Sequence, residues 1–210
     1  MEKNQSKREW NKAQKKASFL DAAEKLFMQR GFENTSIDDV AKEAGLTKRT
    51  LYQYFKSKED LFYAVALKGA RQLTANYEEA IEQGTNALEK IRLANKVYLQ
   101  FFRDHLGMFR LLNYQPANRQ NCEASPHFCE MEMLNGVRMR HYMDLVGKGI
   151  SDGSINANLD MRKAVFFAFF SAFSLLFAVS SMDRSMWDML QLDENEFLGF
   201  SFDLLADALR

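Results

Sequence analysis

An all-α fold is predicted by three observations. The 210-residue chain holds two prolines and ten glycines, too few to interrupt helices often. Apolar residues recur at three- and four-residue intervals, and few runs alternate apolar with polar. Capping residues precede these periodic stretches and glycines follow them. With 47% hydrophobic and 27% charged residues the composition is globular rather than disordered, and the length suits one or two domains.

Each element has its own signal. Phe19, Leu20, Ala23, Leu26 and Phe27 mark the first helix, which Gly31 ends. Thr35 or Ser36 caps a second, with Ile37, Val40, Ala41 and Ala44 as its apolar stripe and Asp38 and Asp39 in the dipole-favoured first turn. Gly45 makes a sharp exit, and Thr47 caps a third helix whose inward side is Leu51 and Phe55. Ser57 and Asp60 form a box-like start for a long fourth helix, about residues 58–83, long enough to link two domains. A fifth restarts at Thr85 or Asn86 and carries Leu88, Ile91, Val97, Tyr98, Phe101 and Phe102 until Gly107 breaks it; a short sixth contains Phe109, Leu111 and Leu112. Residues 113–125 read as a loop, and Ser125-Pro126 opens a seventh helix that reaches about Val146, before the cluster Gly147, Gly149 and Asp152-Gly153. An eighth opens near Asn158 or Asp160 and runs to about Ser181. The last starts at the box Asp193…Glu196. Nine helices are expected, without an internal repeat.

Charge is unevenly distributed. Residues 1–61 carry 13 Lys+Arg against 10 Asp+Glu, and residues 62–210 carry 15 against 18, so a net charge of zero hides a basic front end. Lys3, Lys7, Arg8, Lys12, Lys15 and Lys16 make a basic arm that fits a phosphate-binding surface or is a solvated, frayed terminus. No apolar signal segment leads the chain.

Residues 36–55 read as a helix-turn-helix. Thr47, Lys48, Arg49 and Thr50 cluster at the start of the second helix, with Tyr52 and Tyr54 one turn on. Cations and free backbone N–H groups suit phosphate, Arg49 can instead read guanine O6 and N7, and tyrosine hydroxyls suit backbone phosphates. The landmarks Ala22-Ala23, Leu26-Phe27, Gly31, Thr35-Ser36, Val40-Ala41, Ala44-Gly45, Leu51-Tyr52, Tyr54-Phe55, Lys58-Glu59 and Leu61, at unbroken spacing, make residues 16–61 similar to the DNA-binding domain of the tetracycline-repressor (TetR) family. The remaining helices resemble that family's ligand-binding and dimerisation domain only in architecture. The resemblance implies residues 1–61 as the DNA-binding domain and 62–210 as the effector and dimer domain. It also implies that Thr35 and Ser36 approach phosphate, that Thr47, Lys48, Arg49, Thr50, Gln53 and Tyr54 face the groove or its rim, and that Tyr52 and Lys58 hold backbone phosphates. Many members carry Gly where this chain has Arg49, which either adds a base contact or pushes the helix outward.

The run AVFFAFFSAFSLLFAV, residues 164–179, has sixteen uncharged residues, short of the roughly 20 that span a bilayer. A helix apolar on every side is buried on every side, so core plus subunit interface is expected rather than a membrane span. Phe166, Phe169, Phe170, Phe173 and Phe177, with Phe197, Phe200, Leu204 and Ala208 of the last helix, are the expected homodimer contact, as the resemblance also implies, in an intersubunit four-helix bundle.

Phe101, Phe102, His105, Met108, Phe109, Leu112, Phe128, Met131, Asn135, Arg138, Met139 and Tyr142 form apolar walls with a few polar groups, which suit a lipophilic effector or are plain core. Cys122, His127 and Cys129 lack a fourth ligand and match no zinc pattern, so neither metal nor cofactor is expected. No phosphate-cradling or nucleophile motif occurs, and no enzyme is expected. The reading is a bacterial, cytoplasmic DNA-binding regulator: a homodimeric repressor on a palindromic operator, released by a small hydrophobic effector. A dimer that binds DNA without an effector is the second reading, and a membrane-anchored sensor the third.

Overall fold

The computed structural model describes residues 2–117 and 123–210, with side chains from residue 7 onward. Among them are ten α-helices and no strand: α1 (Glu2–Arg30), α2 (Ile37–Glu43), α3 (Lys48–Leu51), α4 (Lys58–Ile81), α5 (Ala87–Asp104), α6 (Leu106–Asn113), α7 (Pro126–Asp152), α8 (Met161–Val179), α9 (Arg184–Leu190) and α10 (Glu194–Asp207).

Four differences from the sequence reading have local causes. The basic arm is helical from Glu2, continuous with α1. α5 ends at His105, whose φ of −134° and ψ of 44° leave the helical region, so Gly107 falls inside α6 instead of breaking α5. α7 runs six residues past Val146, to Asp152; its glycines act by close approach. A Cβ at Gly149 would lie 2.5 Å from Ile155 Cδ1 and 3.1 Å from its Cβ, and a Cβ at Gly147 would lie 3.7 Å from Met161 Sδ. The terminator is Gly153, at φ +77°. The tenth helix, α9, is absent from the expected nine because its seven residues are too few to show a period, although Asp183 caps it by accepting from Met186 N–H, one of its first-turn donors. Gly149→Ala should lower stability by about 1–3 kcal/mol through overpacking; urea denaturation reads this directly, and an unchanged midpoint would show that Ile155 repacks freely.

The chain forms two compact units, residues 1–70 with 110–134 and residues 71–109 with 135–210. The first is therefore discontinuous, unlike the linear cut after Leu61, because the segment before and into α7 packs on α1 and α4. Its interior contains Phe19, Phe27, Val40, Leu51, Phe55, Leu61, Phe62 and Val65, all essentially without exposure. Phe27, Phe32, Phe62 and Tyr114 form an aromatic cluster with centroids 5.1–5.9 Å apart. Each such ring contributes roughly 1.5–3 kcal/mol by burial, which fixes α1 against α4.

The second unit has its own core of Leu88, Ile91, Leu145, Val146, Ile155, Val165 and Leu209. The turn after α7 caps α5: Asp152 accepts from Ala87 N–H at 3.1 Å and Ser154 Oγ from Leu88 N–H at 3.3 Å. The chain end is held by Asn156 N–H donating to Leu209 O at 2.9 Å.

Candidate nucleic-acid interface

The helix-turn-helix is built by local chemistry that the sequence encodes. Ser36 is the N-cap of α2: its hydroxyl accepts from Asp39 N–H at 3.1 Å, and Asp39 returns the bond by accepting from Ser36 N–H at 2.9 Å. The Asp39 carboxyl is held below its ordinary range, first by the Ser36 hydroxyl, which donates to Asp39 Oδ2 at 2.5 Å, and then by the Ser36 N–H. Gly45 takes the left-handed conformation at φ +65°, and Leu46 N–H donates to Ala41 O at 3.0 Å across the turn, which closes α2. Thr47 then caps α3 by accepting from Thr50 N–H at 3.2 Å, and the two threonine hydroxyls lie 2.8 Å apart. Ile37, Val40, Ala41, Leu51 and Phe55 are buried beneath. The turn is thus gripped from within, and its outer side chains project from fixed backbone.

Those outer side chains are largely the ones expected. Ser36, Thr47, Lys48, Arg49 and Gln53 are exposed, Thr50 is half-buried, and Tyr52 is 49% exposed. Lys48 pairs with Asp38 at 2.9 Å; that carboxylate raises its pKa. The pair is exposed, so it holds Lys48 weakly. Arg49 has no ion-pair or hydrogen-bond partner among the described residues. An exposed, uncommitted guanidinium beside a capped turn is available for a phosphate or a guanine edge.

Three expected contacts sit differently. Thr35 is 1% exposed, and its hydroxyl donates to Gly31 O at 2.9 Å; it locks the end of α1, and its side chain does not reach phosphate. Tyr54 is half-buried, with its ring 6.0 Å from Phe19, so at most its hydroxyl end serves the rim. Lys58 lies over the Phe32 ring at 4.1 Å and its Nζ is 3.4 Å from Glu33 O; its position is set by packing as much as by charge. In the extended α1, Lys7, Arg8, Lys12 and Lys15 are exposed, and Lys16 lies 5.8 Å over the Phe55 ring.

One cluster escaped sequence reasoning. Asp60, 2% exposed, accepts from Lys56 N–H at 2.9 Å, from the Ser125 hydroxyl at 2.7 Å and, at 2.8 Å, faces His127 Nδ1. Burial alone would raise the Asp60 carboxyl; the hydrogen bonds from His127, Ser125 and the Lys56 amide overcome it and lower the pKa to about 2. The box expected with Ser57 is present in one arm only, Ser57 Oγ accepting from Asp60 N–H at 3.1 Å. Ser125 caps α7 by accepting from Phe128 N–H at 3.0 Å, so one carboxylate ties the exit of the helix-turn-helix to the start of α7. His127 was considered above only beside Cys122 and Cys129. Its Nδ1 is committed to Asp60, Cys129 is disulfide-bonded, and Cys122 lies outside the described residues.

The expected effector lining is divided. Phe101, Phe102, Met108 and Phe109 are buried in the second unit, where Phe102 and Phe109 meet edge to face at 5.0 Å. His105 and Asn135 are exposed, Arg138 is half-buried, and Met139 and Tyr142 pack on the core of that unit. Leu112, Phe128 and Met131 belong to the first unit, with Phe128 edge-on to Tyr63 at 5.0 Å. Surface depressions of about 540 and 330 Å³ in the second unit are lined by other residues, among them Arg92, Ser154 and Arg210 in one and Arg92, Lys96 and Arg103 in the other.

α8 and α10 pack together and leave an apolar face uncovered. Val165, Ala168, Ala172, Leu176 and Val179 of α8 and Leu198, Phe202 and Ala206 of α10 point inward. Phe166, Phe169, Phe170, Phe177, Phe200 and Leu204 are each more than 40% exposed. Ala208 is exposed, while Phe173 and Phe197 are half-buried, the latter against Trp187 at 5.7 Å. By length and composition α8 could also cross a bilayer.

Residues 19–65 match the family described as bacterial regulatory proteins, tetR family. The chain is 27% identical over 149 residues, 71% of each chain, to the transcriptional repressor KstR2 of Mycolicibacterium smegmatis. It is 27% identical over 157 residues, 73% of this chain and 77% of the other, to the fatty acid metabolism regulator protein of Bacillus subtilis. In fold it is similar to the regulator FadR from Bacillus subtilis in complex with stearoyl-CoA, at a TM-score of 0.68 and 20% identity over 92% of this chain and 99% of that one.

Proposed function

Since this chain belongs to the tetR family of bacterial regulatory proteins, a family of DNA-binding transcription regulators and not of enzymes, we propose that it is a homodimeric repressor of a palindromic operator that a small lipophilic effector releases. The observation that carries the DNA-binding part is the exposed Thr47-Lys48-Arg49 tip, with Arg49 uncommitted, on a turn capped at both helices. Two such tips on a twofold axis read half-sites about 34–36 Å apart, or a multiple of that, and the uncovered aromatic face of α8 and α10 supports the pairing. The effector part is supported by the relatives: one is a repressor, and another was solved with stearoyl-CoA.

α4 and α7 each begin in the first unit and end in the second. In this mechanism an effector that favours one setting of these helices in the second unit alters the spacing of the tips. Coupling of about 1–3 kcal/mol is typical, and it is reciprocal: operator DNA weakens effector binding by the same factor. The buried phenylalanines of α5 and α6 favour the second reading, a dimer that needs no effector. Melting-temperature shifts across a set of lipophilic compounds separate the two, since a ligand of the folded state raises the midpoint.

Selection of genomic fragments on the purified protein, followed by anisotropy titration, tests the assignment. Arg49→Ala should cost about 1–3 kcal/mol at one base position and relax preference there; a loss spread evenly over all sequences would make Arg49 a phosphate contact. Lys58→Ala should weaken every sequence alike and flatten the salt dependence, and an undiminished salt slope would remove Lys58 from the interface.

A further inference from the structure

Among the described residues, the second unit holds a half-buried cation on α7, Arg138, with no carboxylate to neutralise it. Arg138, Tyr142, Leu145 and Gly149 follow at helical spacing; Leu145 is in the core, Gly149 abuts Ile155, and Tyr142 packs on that core. Arg138 is half-buried at the head of this stripe. Its Nη2 donates to Asn135 Oδ1 at 2.6 Å, and no carboxylate lies within ion-pair distance of it among the described residues. Burial works against its charge, and the nearby Tyr98 phenol acts the other way; an arginine nonetheless stays protonated at any working pH. A desolvated cation without a counter-charge is costly. A second group on the same side is also unanswered. The Tyr77 hydroxyl is buried with no hydrogen-bond partner. Its ring lies edge-on to His141 at 5.6 Å and packs on the same core as Tyr142, one turn of α7 beyond Arg138. Buried donors are ordinarily satisfied, so the unpartnered Tyr77 hydroxyl beside an arginine without a counter-charge points to a partner from outside the chain.

We propose that the effector of the second unit is an amphipathic carboxylate whose head group is held by the Arg138 guanidinium, with the Tyr77 hydroxyl as a further donor. The inference rests on the effector reading above and narrows it to an anion.

The test uses dodecanoate and the uncharged dodecanol, both below micelle formation, on the full-length protein and on Arg138→Met and Arg138→Lys. Binding is followed by calorimetry and by release of bound operator. The unaltered protein is expected to bind dodecanoate at least about tenfold more tightly than dodecanol. Arg138→Met abolishes that preference without weakening dodecanol, and Arg138→Lys keeps part of it. Without ligand, Arg138→Met should melt no lower than the parent, since it removes an unpaired buried charge. Equal affinity for the two probes in the parent, or a preference surviving in Arg138→Met, overturns the anion assignment while leaving a lipophilic effector standing. Failure of both probes to bind overturns the assignment together with the effector reading beneath it.

Discussion

Glutamate at Phe170 and at Phe200 should convert the protein to a monomer and lower operator affinity at least about 100-fold. Both rings are more than half exposed, at 57% and 65%, on the joined faces of α8 and α10, so replacing them leaves the interior of the second unit untouched. Burying one phenylalanine contributes roughly 1.5–3 kcal/mol. In a twofold interface each change counts twice, and only the exposed part of each ring, a little over half, is newly buried, so a single substitution removes about 2–4 kcal/mol of pairing energy before the cost of a buried carboxylate is added. A monomer presents one short α3, and binding through one half-site forfeits about half the DNA-binding free energy. Sedimentation equilibrium gives the association state, and far-ultraviolet dichroism checks that the helices persist. A variant that stays dimeric would place the subunit contact elsewhere and leave the aromatic face for another surface, a lipid bilayer included, which flotation with vesicles would detect.

Asp60→Ala should lower stability by about 3 kcal/mol or more and uncouple the helix-turn-helix from α7. The substitution strands three donors at once, the Lys56 amide, the Ser125 hydroxyl and His127 Nδ1, each costing about 1–3 kcal/mol when buried and unpaired. Partial repair by water sets the lower end. Asp60→Asn keeps the shape and one acceptor, so its loss should be smaller. The same carboxylate gives a pH dependence of defined sign. In the unfolded chain Asp60 takes a proton near 3.8, in the folded chain near 2. Between those values the unfolded state holds more protons, so stability rises with pH through this window. The contribution, about 2 kcal/mol, is complete above about pH 5 and is lost as the pH falls toward 2. Unfolding free energies from pH 2 to 6 should therefore show this slope in the parent and lack it in Asp60→Ala; parallel profiles would show that the depressed acid lies elsewhere.

The first 61 residues were legible because their structure is decided by neighbours in sequence. Ser36 with Asp39, Gly45 and Thr47 with Thr50 act within four positions of one another, and the apolar stripes show which sides turn inward. The same locality exposed Phe166, Phe170, Phe200 and Leu204, since apolar residues on every side of α8 had to face something. What was not legible depends on distance along the chain. Asp60 meets Ser125 and His127 across 65 and 67 positions, and no periodicity encodes that meeting. Thr35 looked like a surface hydroxyl because threonine caps helices, yet Ser36 takes the cap and leaves Thr35 to the α1 carbonyls. Gly147 and Gly149 resembled a terminator because close approach by Ile155 and Met161 cannot be told from a turn without tertiary packing. The pocket residues were chosen for apolar character, which core and ligand site share; an orphan such as Tyr77 or an unpaired Arg138 is visible only when all partners have positions.

Hydroxyl-radical footprinting of the purified protein on the DNA upstream of the gene it retains most tightly is the most direct test. Two symmetric protected half-sites are expected, about 10–10.5 base pairs apart centre to centre or a multiple of that, with the protection over bases weakened in Arg49→Ala. Absence of protection on any duplex at low ionic strength, or a single unpaired footprint, would contradict it.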